Sequence, residues 1–241
     1  MALPALAGES LSYSEGDTTC IGYLAKPSTT APAPGVIIIH EWWGLNDHAR
    51  NTANRLAEAG YFALAADMYG NGHTAKDAAE AGELAGRFKN DPVLARQRFE
   101  AALSALKSVE GVDASRIAAI GFCFGGTVCL EMARQGLDLK GVVSFHGGLK
   151  TVVGQSGAPV RAKVLVCHGA DDPLVSAGEI ADFEADMRAR KADWQLIKYS
   201  DAVHSFTNPS ATGENPAVKY NETAARRSWA AMMQFFGEIF D

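Results

Sequence analysis

The stretch that decides the fold reads Ile117-Ala118-Ala119-Ile120-Gly121-Phe122-Cys123-Phe124-Gly125-Gly126-Thr127. Ile117–Phe122 is a short, continuous apolar run, which fits a strand buried on both faces, as in a parallel sheet. From Thr127 to Gln135 the pattern is helical. Between the two lies Gly-x-Cys-x-Gly-Gly, the form of the nucleophile elbow with cysteine in place of serine. The central residue of such an elbow sits on a tight, strained turn, so the residues two before and two after must lack a Cβ for strand and helix to approach. The side chain then projects above the sheet at a helix N-terminus. The N–H groups and positive potential there favour a thiolate and a developing oxyanion. The plain alternative is a tight strand–helix turn around a buried cysteine. A dinucleotide fingerprint needs Gly-x-Gly-x-x-Gly, and the segment reads Gly-x-x-x-Gly-Gly.

Outward from this stretch the chain alternates. Further short apolar runs are Val36–His40, Tyr61–Ala65, Val142–Phe145, Val164–His168 and Leu196–Tyr199. Helical patterns lie between most of them: Asp47–Ala59 ending at Gly60, a helix opened by Asp91-Pro92 and running to Val109, Glu179–Ala189 and Tyr220–Phe240. This alternation predicts an α/β fold, a mostly parallel central sheet flanked by helices on both faces. Thr18–Ala25 is expected to add an antiparallel strand at the edge, and Pro27–Pro34 reads as a loop between an early hairpin and the main body. No repeat or long linker divides the chain, so residues 1–241 are expected to form a single domain.

In open sheets of this class function sits at the carboxyl ends of the strands. Beyond the cysteine elbow, Val164–His168 leads into Gly169-Ala170-Asp171-Asp172-Pro173, and Leu196–Tyr199 leads to Asp201-Ala202-Val203-His204-Ser205-Phe206. Nucleophile, acid and histidine follow one another in the order this fold uses. Proline after Asp172 pushes its backbone to an extended conformation, which favours Asp172 over Asp171 as the acid; Asp171 reads as a turn or cap residue. The first core strand ends in His40-Glu41-Trp42-Trp43-Gly44, where the fold supplies an oxyanion-hole N–H. An aromatic plug over the core is the alternative reading there.

Composition narrows the function classes. The 241 residues are 47% hydrophobic and 21% charged, enough to bury a sizeable core and incompatible with disorder or a coiled coil. A net charge of −6 argues against a nucleic-acid binder. No run of 18 apolar residues exists, and the N-terminus shows no basic flank or apolar stretch of a signal peptide, so a cytoplasmic protein is expected. The four cysteines, 20, 123, 129 and 167, read as free thiols, with Cys20 and Cys167 in core strands. The six histidines show no metal-ligand spacing, so no metal and no cofactor are expected; His40, His146 and His168 follow apolar strands, which places them to line the cleft, and each reads as a hydrogen-bonded structural residue rather than a ligand. Trp229, Met232, Met233, Phe236, Ile239 and Phe240 are spaced as the packing face of the last helix.

Gly121-Phe-Cys123-Phe-Gly-Gly, Gly169-Ala-Asp-Asp172-Pro, Val203-His204-Ser-Phe and His40-Glu41-Trp-Trp-Gly together resemble the dienelactone hydrolase (carboxymethylenebutenolidase) family, α/β-hydrolases with a Cys–His–Asp triad. The resemblance runs from Cys20 to Phe240. It implies Cys123 as nucleophile, His204 as base, Asp172 as the residue orienting His204, and Glu41 as the glutamate that holds the resting thiol and helps generate the thiolate. It implies backbone N–H groups of Trp42 and Phe124 as the oxyanion hole, and Asp67-Met68-Tyr69 as a segment lining the site. Family members acting on dienelactone carry an arginine shortly after that segment and another four residues past the histidine. Here those places hold Gly70-Asn71-Gly72-His73 and Asn208. Trp43, Tyr69, His73 and Asn208 are therefore expected to line a site for a neutral ester or lactone with an apolar part.

The expected chemistry is acyl transfer through a Cys123 thioester, suited to aryl esters, enol lactones or thioesters, with phosphotriesters as promiscuous substrates. A small-molecule substrate, and a monomer or homodimer with no nucleic-acid or membrane partner, go with that reading. The rivals are a thiol-redox protein, disfavoured because Cys129 is expected to point into the core, and a non-catalytic binding protein of the same fold.

Overall fold

A computed structural model describes residues 8–152 and 158–241. The targeting-segment reading of residues 1–7 lies outside them. Among the described residues, eight strands take the order β1-β2-β4-β3-β5-β6-β7-β8, and β5 (Val112–Phe122) carries the chain between two compact units, one up to Ala119 and one from Ile120.

The first unit contains β1 (Glu9–Glu15), β2 (Thr18–Ala25), β3 (Ala33–Ile39), α1 (Asp47–Glu58), β4 (Phe62–Ala66), α2 (Ala78–Asn90) and α3 (Pro92–Lys107). β3 and β4 pair in parallel, and Val36–Ile39 and Ala63–Ala66 are wholly buried, as their unbroken apolar runs require. The Asn46 side chain caps α1 by accepting from the N–H groups of His48 and Ala49, and Gly60 follows its end with φ +98°. Asp91 caps α3, with Pro92 in the first turn.

Two elements depart from the sequence reading. β1, of alternating Ser, Glu and Tyr with little apolar content, pairs antiparallel with β2 across a turn at Gly16. β2 is therefore the second strand rather than the edge, antiparallel to both β1 and β4. The sequence pattern does not reveal α2, which buries only Ala81, Ala85 and Phe88, too small a stripe to stand out.

The second unit contains α4 (Phe124–Arg134), β6 (Gly141–Phe145), β7 (Lys163–Gly169), α5 (Ala177–Ala189), β8 (Trp194–Tyr199) and α6 (Glu222–Phe240). β6, β7 and β8 are parallel, with Phe145 opposite Cys167 and His168 opposite Lys198. A buried ionic cluster ties α4 to α5. Arg134 donates to Asp186 at 2.9 Å, to Glu131 at 2.8 Å and to the Leu149 carbonyl at 2.9 Å, while Arg190 donates to the second oxygen of Asp186 at 2.6 Å. α6 packs through Ala224, Ser228, Met232, Phe235, Phe236, Ile239 and Phe240. Phe235 is buried there, whereas Met233 and Trp229 are half-buried.

Candidate active site

The second unit holds the cysteine elbow. Cys123 separates β5 from α4 with φ +52° and ψ −115°, a strained conformation for a residue with a side chain. Its N–H donates to the Phe145 carbonyl at 3.0 Å, and its own carbonyl accepts from Thr127 at 3.2 Å. The glycines are needed: a Cβ on Gly121 would lie 2.1 Å from the Gly125 backbone, and one on Gly126 would lie 2.5 Å from Ser144 Oγ. Phe124 opens α4, where backbone N–H groups have no acceptor within the helix. Cys123 is the partly exposed thiol; Cys20, Cys129 and Cys167 are buried. Burial raises the pKa of all three, and Cys129, six residues from Cys123, is wholly enclosed. A redox reading thus has no accessible resolving thiol among the described cysteines.

The turn after β7 and the loop after β8 carry the other two residues of the expected triad, Asp172 and His204. A Cβ on Gly169 would lie 2.5 Å from the Ala202 carbonyl, so glycine lets the two loops meet. Ala170 and Asp171 then donate backbone N–H groups to Tyr199 at 2.8 Å and to Ala202 at 3.0 Å. Asp171 is exposed and Asp172 buried. One Asp172 oxygen accepts from the Leu174 N–H at 2.8 Å; the other accepts from Nδ1–H of His204 at 2.9 Å. His204 is itself tied down on both sides of its backbone, donating to Ala217 at 3.1 Å and accepting from Lys219 at 3.0 Å. Burial works against a charged His204. Hydrogen bonds to Asp172 and to Cys123, with the charges of both, outweigh it and raise the pKa to about 10. The structure therefore brings Cys123, His204 and Asp172 into one hydrogen-bonded chain.

His168, at the end of β7, is buried, and burial lowers its pKa. Asn208 is buried and its Oδ1 accepts from the Ser210 N–H at 2.9 Å, which closes a turn.

The first unit holds the remaining candidates. Glu41 is buried, and its carbonyl is hydrogen-bonded to Nδ1 of His40. Burial lowers the His40 pKa to about 4, which keeps that ring neutral. Tyr69 donates its hydroxyl to the Trp42 carbonyl at 2.7 Å and so fixes the backbone after β3. The half-buried rings of Trp42 and Trp43 meet at 5.1 Å. Asp67 accepts the N–H groups of Ile21, Gly70 and Gly72 at 2.8 to 2.9 Å and shapes the following turn. His73 lies at the surface, 3.0 Å from Glu80. Among the described residues no group of three His, Cys, Asp or Glu side chains is placed to hold a metal ion, and no helix is long and apolar enough to cross a membrane.

Two contributors were not singled out in the sequence. Gly169 could have been found from its place between a strand and the acid. Thr207, hydrogen-bonded to His146 at 2.7 Å, carried no signal.

Comparisons with known proteins bear on the family and the fold. A structure described as a dienelactone hydrolase-like promiscuous phosphotriesterase from metagenomic libraries is 44% identical, with a TM-score of 0.92 over 97% of this chain and 98% of that one. A carboxymethylenebutenolidase, so named without proof of activity, from Yersinia pestis is 30% identical over 95% of this chain and 87% of its own. An uncharacterized protein of Caenorhabditis elegans is 40% identical over 60% of this chain and 94% of its own. Acylaminoacyl peptidase of Pyrococcus horikoshii, 14% identical at a TM-score of 0.73, shares the fold alone. Residues 21–240 match the dienelactone hydrolase family, and the chain is a member of that family of α/β-fold hydrolases.

Proposed function

We propose that this hydrolase cleaves activated, neutral carboxylic esters or lactones through a thioester on Cys123. The observation that carries the reading is the hydrogen-bonded chain Asp172–His204–Cys123, with the sulfur on a strained elbow at the start of α4. The sulfur attacks as thiolate and forms a C–S bond, while the carbonyl electron pair moves onto oxygen. Collapse breaks the bond to the leaving oxygen, which takes the proton from His204. Neutral His204 then takes a proton from water. The resulting hydroxide attacks the thioester, the C–S bond breaks, and the acid leaves with the thiolate–imidazolium pair restored.

The pKa of His204 follows the cycle. It is high while Cys123 bears charge and accepts its hydrogen bond. Acylation removes both influences and leaves Asp172 alone, so the ring becomes a usable base at the step that needs one. Glu41 and the N–H groups of Trp42 and Phe124 take the thiol-activating and oxyanion roles that the family resemblance assigns them. The lack of arginine at Asn208 and in the Gly70–His73 turn supports a neutral substrate over dienelactone.

Hydrolysis of p-nitrophenyl esters tests the reading. Cys123→Ala is expected to abolish turnover, and retained turnover would end the proposal. The similarity to a promiscuous phosphotriesterase favours a second substrate class. The same sulfur attacks phosphorus, expels a good leaving phenolate, and releases a phosphodiester when water cleaves the P–S bond. Paraoxon turnover that survives Cys123→Ala would remove that second reading.

A further inference from the structure

The residue after β6 breaks the alternation of the strand. His146 has φ +41°, a region that residues with full side chains enter only where the surroundings enforce it. In a regular strand His146 would share a face with Ser144 and oppose Phe145. Instead Phe145 and His146 meet the same ring: Phe122 stacks on Phe145 at 5.0 Å and meets His146 at 6.0 Å. The positive φ thus turns the imidazole away from the Ser144 row and towards His204.

The His146 ring is fully buried. It stands edge-on to His204, with centroids 5.2 Å apart, and edge-on to Phe206 at 5.2 Å. Its Nε2 is hydrogen-bonded to Oγ1 of Thr207 at 2.7 Å. One side chain therefore braces three residues of the loop that carries the base. That loop is itself strained, with Ser205 at φ +56°. Its backbone bonds and Asp172 hold the main chain and Nδ1 of His204, but neither backs the face of the ring against a tilt. A tilt would swing Nε2 off the sulfur.

We propose that His146 is a positioning residue: anchored through Nε2 on Thr207, its ring is the side wall that keeps Nε2 of His204 aimed at Cys123. The neighbouring Phe145 carbonyl holds the Cys123 N–H, so two consecutive residues at one strand end position nucleophile and base. The inference rests on the Cys123–His204–Asp172 hydrolase reading.

The test compares wild type with Thr207→Val, His146→Phe, His146→Asn and Cys123→Ala. Thr207→Val keeps the side-chain volume and removes the anchor; His146→Phe keeps a ring without Nε2; asparagine tolerates positive φ. The readouts are p-nitrophenyl ester kinetics, the melting midpoint, and the Nδ1–H proton resonance of His204. Thr207→Val and His146→Phe are expected to lower kcat by on the order of 10- to 100-fold with KM little changed, and to broaden the Nδ1–H resonance in protein that remains folded. Wild-type kcat and an unbroadened resonance in these two variants would overturn the positioning role, as would losses that only track the folded fraction. Should His146→Phe not fold, Thr207→Val carries the test alone. Turnover by Cys123→Ala would instead sink the underlying hydrolase reading. An inert Cys123→Ala beside a fully active Thr207→Val would remove only the role of His146.

Discussion

His204 has two hydrogen-bond partners with different fates. In the proposed mechanism the Cys123 sulfur loses its charge on acylation, while the Asp172 partner stays in place. Together they hold the His204 pKa near 10 against the opposing pull of burial. In Cys123→Ala only Asp172 remains, so the histidine is expected to titrate at lower pH; an unchanged NMR titration would show that the sulfur does not act on it. The linkage has a definite sign. The folded pKa lies above the unfolded one, so this pairing stabilises the fold fully below pH ~6.5 and loses that contribution as pH rises through about 10. At this scale much was legible in the sequence. Glycines 121 and 125 announced a backbone-to-backbone approach, and proline after Asp172 separated two adjacent aspartates. The place of His146 at a strand end was legible, but its contact with His204 was not, because a histidine after an apolar strand carries no mark of the positive φ that turns it.

Among the elements, the junction between β5 and α4 has the least slack. Gly121→Ala would place a Cβ 2.1 Å from the Gly125 backbone. It is expected to cost about 1–3 kcal/mol of stability and to abolish turnover by displacing Cys123; unaltered activity would show that the elbow tolerates opening. The bond between α4 and α5 makes a different demand. Asp186 accepts from both Arg134 and Arg190, and all three side chains are buried. Asp186→Ala leaves two guanidinium groups without their shared acceptor, so a loss of about 3–5 kcal/mol in urea unfolding is expected. A loss under 1 kcal/mol would mean that the arginines find other partners. Apolar strands declared themselves by continuous Val, Ile and Ala runs. β1 and α2 did not: the first is held by ladder bonds to β2 with mostly polar side chains, the second by a stripe of two alanines and one phenylalanine.

Across the whole molecule, two neutral histidines, buried His40 and half-buried His48, shape the response to acid. Burial lowers the pKa of both His40 and His48 to about 4. Their folded values lie below the unfolded one, so the stability they contribute is complete above pH ~6.5 and is lost as pH falls through about 4. For His40, wholly enclosed behind β3, the loss is on the order of 3 kcal/mol. The urea midpoint is expected to fall steeply between pH 7 and 4, and less steeply in His48→Gln; a flat profile would contradict it. The α/β class followed from alternating patterns along the chain. The order of the strands did not, because pairing partners are distant in sequence and the apolar runs are alike.

The proposed hydrolysis requires a substrate acyl group to become bound to Cys123. Acid-quenching the reaction with a p-nitrophenyl ester within the first turnovers and mapping the peptides by mass tests it most directly. The acyl mass is expected on the peptide containing Cys123, at a level matching the p-nitrophenol burst, and is expected to be absent after iodoacetamide treatment. Full turnover with Cys123 alkylated, or an acyl group on any other residue, would contradict it.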